Sequence, residues 1–240
     1  MSIWFVLWAV ISVALLYFSG WTYLILYRQK AAWKAFAAKN KLRYIPGKMM
    51  DAPQVKGVYG GYDVHVFSSE HQSPDVRGFR KLTAVEITLK SVSPVKMIAV
   101  SNGMMSLAEA AGFPQTVSVE HDTWADDNLI QSDNADIAAA YFTPERLSGL
   151  QKVISIKNAM AVFILRPEIG LFRIDLSDPL DSQDKEERLL KNLVKLAKML
   201  EIDNVEEGKL KAVSARKAKK VPTLDVDEDA GDSGLSLEDD

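Results

Sequence analysis

The sequence predicts an α+β protein in which one N-terminal transmembrane helix precedes a mixed, hairpin-containing sheet with packed helices and a disordered, charged C-terminal tail. Three observations predict this class. The first 27 residues carry no charged side chain, and residues 225–240 hold eight acids and no base. Between these ends, strand and helix patterns follow one another without a βαβ repeat. The predicted boundaries are a transmembrane helix at 3–26, a basic juxtamembrane helix at 27–45, a soluble α+β domain at 46–205 and the tail at 206–240.

Composition limits the chemistry that this chain can perform. It has 240 residues, no cysteine and three histidines, with a formal net charge of −3. Absence of cysteine excludes disulfides, thiolate zinc sites, iron–sulfur ligation and a cysteine nucleophile. The apolar fraction of 48% is ordinary for a globular domain, so the middle of the chain is expected to fold.

Residues 3–26 form an apolar run that is long enough to cross a bilayer. As a helix these residues reach about 36 Å, against a hydrocarbon core of about 30 Å. A cleaved signal peptide is the alternative, but it has a basic start and a shorter apolar core. The uncharged start and the long run favour a retained anchor. The side chains predicted to lie at the membrane interfaces are Trp4, Trp8, Trp21, Tyr23, Tyr27, Arg28, Lys30 and Lys34.

The distribution of basic residues predicts the orientation of this anchor. Six bases lie within residues 28–43 and none precede the apolar run. Because loops rich in lysine and arginine stay on the cytoplasmic side, the N-terminus is expected outside and the C-terminal domain in the cytoplasm of a single-pass cell-membrane protein.

The basic segment that follows is expected to continue as a helix until Pro46-Gly47, with Trp33, Phe36 and Ala37 on one stripe. Two interpretations of this stripe stay open. It lies against anionic lipid headgroups, or it packs on the soluble domain while the bases set the topology.

Two hairpins are the clearest predicted parts of the sheet. Residues 55–59 and 62–67 flank Gly60-Gly61, a pair that suits a tight turn with positive φ angles. This register places Val55, Tyr59, Tyr62, Val64 and Val66 on one face and Lys56, Asp63 and His65 on the other. The second predicted hairpin joins residues 159–165 to 171–176, and further strands are predicted at 85–89, 96–100 and 116–120.

Helical patterns occupy residues 106–111, 136–142 and 144–150, and Thr143 is the expected N-cap before Pro144. The final predicted helix is the most amphipathic. Its apolar stripe consists of Leu189, Leu193, Leu196, Ala197 and Leu200.

This layout resembles a group of uncharacterised bacterial single-pass membrane proteins that carry a cytosolic domain of unknown function. The segments that carry the resemblance are the hairpin at 55–67, the sequence Tyr141-Phe142-Thr143-Pro144-Glu145-Arg146-Leu147, and the strand at 171–176 with the helix after it. The resemblance implies a bacterial membrane context, and it implies no activity, cofactor or site residue.

No motif for catalysis or cofactor binding is present. The sequence lacks a phosphate-binding glycine loop and a Gly-x-Ser-x-Gly elbow. His65 and His71 with Glu70, or Glu120-His121-Asp122 near Asp126-Asp127, are the candidate metal ligands, but solvent-facing side chains are the simpler interpretation. We therefore assign no catalytic, cofactor-binding or metal residue from the sequence.

The tail joins a basic block at 209–220 to the acidic end. The basic block is interpreted as a solvated helix end rather than a lipid or nucleic-acid site, and no nucleic-acid partner is expected. The expected partners are the lipid bilayer, anionic lipid headgroups, and a protein that binds the domain or the acidic tail. The leading functional hypothesis is a non-enzymatic interaction, scaffold or assembly factor. Ligand sensing and a membrane-tethered hydrolase using acids of residues 120–136 are the alternatives.

Overall fold

The structure, a computed structural model, describes residues 2–72, 78–119, 124–125 and 127–218, and has the predicted α+β class. Its helices are α1 (Ile3–Lys39), α2 (Met105–Ala111), α3 (Ala135–Tyr141), α4 (Pro144–Ile154), α5 (Gln183–Leu200) and α6 (Asn204–Ala218). Its strands are β1 (Arg43–Ile45), β2 (Gln54–Tyr59), β3 (Tyr62–Gln72), β4 (Phe79–Leu89), β5 (Met97–Val100), β6 (Gln115–Thr116), β7 (Leu129–Ser132), β8 (Ala159–Leu165) and β9 (Gly170–Leu176). The Glu120-His121-Asp122 group, Asp126 and the acidic end of the tail lie outside the described residues.

The strands form one nine-stranded antiparallel sheet in the order β1-β2-β3-β4-β9-β8-β5-β7-β6. Both predicted hairpins are confirmed. In the first, Val55 pairs with Val66 and Tyr59 with Tyr62, which is the predicted register. The edge strands β1 and β6 have only three and two residues, and such short edges offer little backbone for pairing with another chain.

Alternation along the strands gives the sheet two different faces. The inner face carries Val64, Ile87 and Phe172, and it belongs to a large core that includes side chains of α1, α3, α4, α5 and α6. On the opposite, outer face, Ile98 and Val162 pack with α2 in a small second core. The rest of the outer face, on β3, β4 and β9, carries a mixture of polar side chains such as Glu86 and Arg173 and apolar ones such as Leu82.

Helix α1 ends earlier than predicted. We expected it to reach residue 45, but it stops at Lys39 and residues 43–45 form β1. The Leu42 amide donates to the Ala37 carbonyl at 2.9 Å, and Lys41 has a φ of 57°. These are the features of a helix C-terminus closed through a left-handed residue, a position where glycine is usual. Because lysine and not glycine occupies this position, the sequence did not indicate that the helix ends here.

Further boundaries also differ from prediction. The strand expected at 116–120 is only β6, and β7 was not predicted. The tail predicted to be disordered from residue 206 is helical as α6 to Ala218, and Leu210 on that helix is buried. The core therefore extends beyond the predicted domain of residues 46–205 at both ends.

Candidate membrane-proximal site

Within the part of the chain that the structure describes, α1 is the one helix long and apolar enough to cross a membrane. No residue of its most apolar 18-residue window is buried in the protein. The predicted interface aromatics Trp4, Trp8, Trp21, Tyr23 and Tyr27 are all more than half exposed. Their exposure on a continuous helix is what an anchor in contact with lipid requires.

The predicted interface bases are not equivalent in the structure. Arg28 and Lys34 are exposed, whereas Lys30 is half-buried. The Lys30 Nζ donates to the carbonyls of Lys48 and Met49, at 2.6 and 2.9 Å. Lys30 therefore fixes the loop before β2 beside α1, and this loop exposes the methionine side chains of Met49 and Met50.

The last third of α1 is part of the domain core. Trp33 and Phe36 are both 0% exposed, and the Phe36 ring lies 5.7 Å from the Tyr59 ring. Lys39 forms an ion pair at 2.7 Å with Glu187 on α5. Of the two interpretations of this stripe, the structure supports packing on the domain, because the protein covers these side chains completely and leaves no surface for lipid to contact.

Two buried polar groups in this region have no described hydrogen-bond partner. They are the Trp33 Nε1 and both carboxyl oxygens of Glu186, which lies on the buried face of α5. Burial raises the pKa of Glu186 to about 8. At neutral pH this carboxyl is therefore held mostly protonated inside the core.

Replacing Glu186 with glutamine is expected to stabilise the protein at pH 7–9. Below its unfolded-state pKa of about 4.3, the Glu186 carboxyl is protonated in both states and does not reduce the stability of the fold. As the pH rises from there towards 8, the unfolded state releases the proton and the folded state keeps it, so the free energy of unfolding falls. The Glu186→Gln variant should gain on the order of 2–4 kcal/mol at pH 8 and little at pH 4.5. Thermal unfolding of the full chain in detergent micelles, at pH 8 and at pH 4.5, measures the two gains in stability. Asp184→Asn, at an exposed position on the same helix, is the matched control, and an equal gain at both pH values would contradict the prediction.

A cavity lies where α1 meets the domain, and we call it the junction cavity. It has a volume of about 440 Å³ and is lined by Trp21, Ile25 and Arg28 of α1, by Lys157 and Asn158, and by side chains of the segment 177–185. Lys185 forms ion pairs in this cavity with Asp178 at 3.3 Å and with Asp181 at 2.9 Å. Arg28 and Lys157 form no ion pair with any described residue.

A second polar cluster lies on the outer face of the sheet. The buried carboxylate of Asp175 accepts hydrogen bonds from Ser69 at 2.8 Å, from Arg173 at 2.7 and 2.8 Å, and from His71. Burial raises the pKa of Asp175, but these hydrogen bonds outweigh it and hold the pKa below its ordinary value. Arg173 also pairs with Glu86 at 3.3 Å.

This cluster contains a serine, a histidine and an aspartate, but not in the order that activates a nucleophile. Ser69 and His71 both donate to the same Asp175 oxygen, so no histidine is placed to take the Ser69 proton. Burial, with the charges of Lys56 and Arg173, lowers the pKa of His65 to about 4. Glu70 is largely exposed and pairs with Lys81, and no three candidate metal ligands come together among the described residues. The arrangement is that of an ion-pair network joining β3, β4 and β9.

Sequence reasoning missed Asp175, Arg173 and Ser69. Arg173 and Asp175 are two residues apart on one strand, which does place them on one face. Their partners lie about one hundred residues away on β3 and β4, and no local pattern reveals that pairing. Of the acids considered for hydrolysis, the described Asp127, Asp133 and Asp136 are exposed surface side chains.

A groove with a volume of about 620 Å³ lies between α4 and α5. Val153, Leu193 and Met199 form its apolar wall, and Lys152 and Lys195 also line it. Its size is within the range of small-molecule sites.

Comparison with known proteins adds little to this geometry. No protein-family model matches the chain, and no curated protein matches its sequence. Among solved structures, the crystal structure of the mycobacterial trehalose monomycolate transport factor A, TtfA, is similar to it, with 13% identity and a TM-score of 0.42. The match covers 72% of this chain and 94% of that chain. At these values the similarity is too low to support an inference about function.

Proposed function

We propose that this protein is a single-pass, membrane-anchored interaction or scaffold protein whose non-enzymatic domain is held at the cytoplasmic face. One observation carries the proposal. The exposed apolar segment and the buried residues Trp33 and Phe36 of the domain core lie on the same uninterrupted helix, α1. An anchor of this kind fixes the orientation of its domain, whereas a flexible linker would let the domain rotate freely.

The side of the domain nearest the anchor supports a position on the bilayer surface. The exposed Met49 and Met50 side chains lie in the loop that Lys30 holds to α1, close to the end of the apolar run. Apolar side chains beside bases are typical of surfaces that contact the membrane interface. A domain seated in this way presents its remaining surface to partners in a constant direction, as a scaffold requires.

The cytoplasmic orientation follows from the bases at 28–43. We expect a reporter fused after Asp240 to be active in the cytoplasm, and we expect protease added outside intact cells to leave the domain whole. The matched control replaces Arg28, Lys34, Lys39, Lys41 and Arg43 with glutamine, which should increase export of the reporter. Efficient export of the reporter from the unaltered chain would contradict the orientation.

The interaction role is tested by crosslinking the full chain in native membranes. We expect a protein crosslinked specifically and in near-stoichiometric amount to positions on the domain surface. If crosslinkers placed on the exposed surfaces of β1–β4, α4 and α5 capture no other protein, the proposal is overturned.

Ligand sensing is the second candidate function, and the α4–α5 groove is the observation that favours it. A Cβ atom at Gly149 would lie 2.7 Å from the Met199 sulfur, so a leucine at this position should fill the groove. A small apolar ligand that raises the Tm of the unaltered protein, and not of Gly149→Leu, would support sensing.

A further inference from the structure

We propose that the junction cavity binds the phosphate group of an anionic phospholipid from the adjoining leaflet. This inference rests on the membrane anchoring proposed above and names a partner for the surface next to the anchor. Its basis is the position of the cavity, the state of its charges and the apolar wall beside them.

The cavity lies at the level of the lipid headgroups. Arg28 is the first charged residue after an uncharged stretch, and it lines the cavity together with Trp21 and Ile25. At 1.5 Å per residue, Trp21 and Arg28 are about 10 Å apart along the helix, whereas one headgroup layer is about 5–8 Å thick. When residues 3–26 span the hydrocarbon core, the Arg28 end of this opening therefore faces the layer that contains the lipid phosphates, and the Trp21 end reaches the edge of the acyl chains.

The charges in the cavity fall into two sets. Lys185 is matched by Asp178 and Asp181, and its pKa is raised chiefly by its hydrogen bond to Asp181. This group of one base and two acids carries a net charge of −1, so the lining as a whole, with Arg28 and Lys157, carries +1. Arg28 and Lys157 have no ion-pair partner among the described residues, so they are the two bases left to bind an anion. A phosphodiester accepts hydrogen bonds from a guanidinium and an ammonium group together.

The apolar wall distinguishes a lipid from free phosphate. Trp21 and Ile25 line the same cavity as the two bases, and the helix N-terminal to them is exposed along its apolar length. A volume of about 440 Å³ accommodates a glycerophosphate headgroup, while the acyl chains would lie along α1. Inorganic phosphate would use the bases and leave this wall unused.

Binding of soluble lipids to the full chain in detergent micelles tests the inference. The probes are dihexanoyl phosphatidylglycerol, dihexanoyl phosphatidylcholine and inorganic phosphate. Each base near an anionic headgroup contributes roughly fivefold in affinity, so Arg28→Gln with Lys157→Gln should weaken phosphatidylglycerol binding by about 25-fold. Lys96→Gln with Lys198→Gln removes two exposed charges outside the cavity and should change binding less than twofold.

Several results would overturn the inference. They are equal affinity for phosphatidylglycerol and phosphatidylcholine, unchanged binding in the cavity variant, or an equal loss in the control variant. Inorganic phosphate that binds as tightly as the anionic lipid would assign the cavity to free phosphate instead.

Flotation of each variant with liposomes separates this inference from the proposed function. All variants should float, because residues 3–26 are unchanged. If the unaltered chain fails to float, the membrane anchoring itself fails. If every variant floats but phosphatidylglycerol does not bind selectively through Arg28 and Lys157, only the headgroup site is lost.

Discussion

A chain that begins at residue 44 is expected to aggregate, whereas a chain that begins at residue 28 is expected to fold. Residues 28–43 supply Trp33, Phe36, Ala37 and Leu42, which are buried in the main core. Replacing one buried Trp or Phe with Ala typically costs about 3–5 kcal/mol. Since domains are stable by only about 5–15 kcal/mol, the loss of the whole segment should abolish folding.

Both chains should end at Ala218, so that they differ only at the start. Gel filtration and circular dichroism are the measurements, and soluble, folded monomer from residue 44 onward would contradict the prediction. In the longer chain, Trp33→Ala should lower stability by about 3–5 kcal/mol. Lys34→Ala, its exposed neighbour, should change stability by less than about 0.5 kcal/mol.

The second large effect is expected at Arg146, which is 7% exposed on α4. Its guanidinium donates to the backbone carbonyls of Met199 at 3.0 Å and Glu201 at 2.7 Å, and to that of Tyr141 at 3.0 Å. It also pairs with Glu206 on α6. One side chain thus joins α3, α4, the end of α5 and α6.

Arg146→Ala is expected to destabilise the protein by about 3–5 kcal/mol, because it leaves a carboxylate and several carbonyls without their donor. Arg146→Lys should restore little, since an ammonium group cannot reproduce the planar set of donors. Arg188→Ala, at an exposed position on α5, is the control. Urea unfolding of the chain from residue 28 to 218 measures all three variants. A change below 1 kcal/mol for Arg146→Ala would show that these hydrogen bonds are replaced by water.

The parts of the fold that the sequence predicted well are those with local causes. Gly60-Gly61 marked the first hairpin, and Thr143 caps α4 as expected, its Oγ1 accepting from the Arg146 amide at 3.4 Å. The amphipathic pattern located α5. In each case the residues that determine the structure lie within a few positions of one another.

The parts that were missed depend on distant partners. An apolar stripe such as Trp33 and Phe36 has the same spacing whether lipid or protein covers it, so only the packing of α1 against α5 and β2 decides between them. Arg146 belongs to a predicted helix, but its burial depends on α6, which the charged composition concealed. The junction cavity likewise joins Arg28 to Lys157, which no periodic pattern connects.

The pairing of α1 with α5 also determines when this protein can fold during its synthesis. Lys39 and Glu187 are 148 residues apart, so α1 leaves the ribosome long before α5, and its buried side is not covered until α5 has been synthesised. Contacts between such distant segments form slowly. Throughout that interval Trp33, Phe36 and the unfinished sheet edges are open to solvent, a state prone to aggregation. Chaperones that act once α5 has been synthesised are therefore expected to influence the yield of this protein more than those that bind the earliest nascent chain.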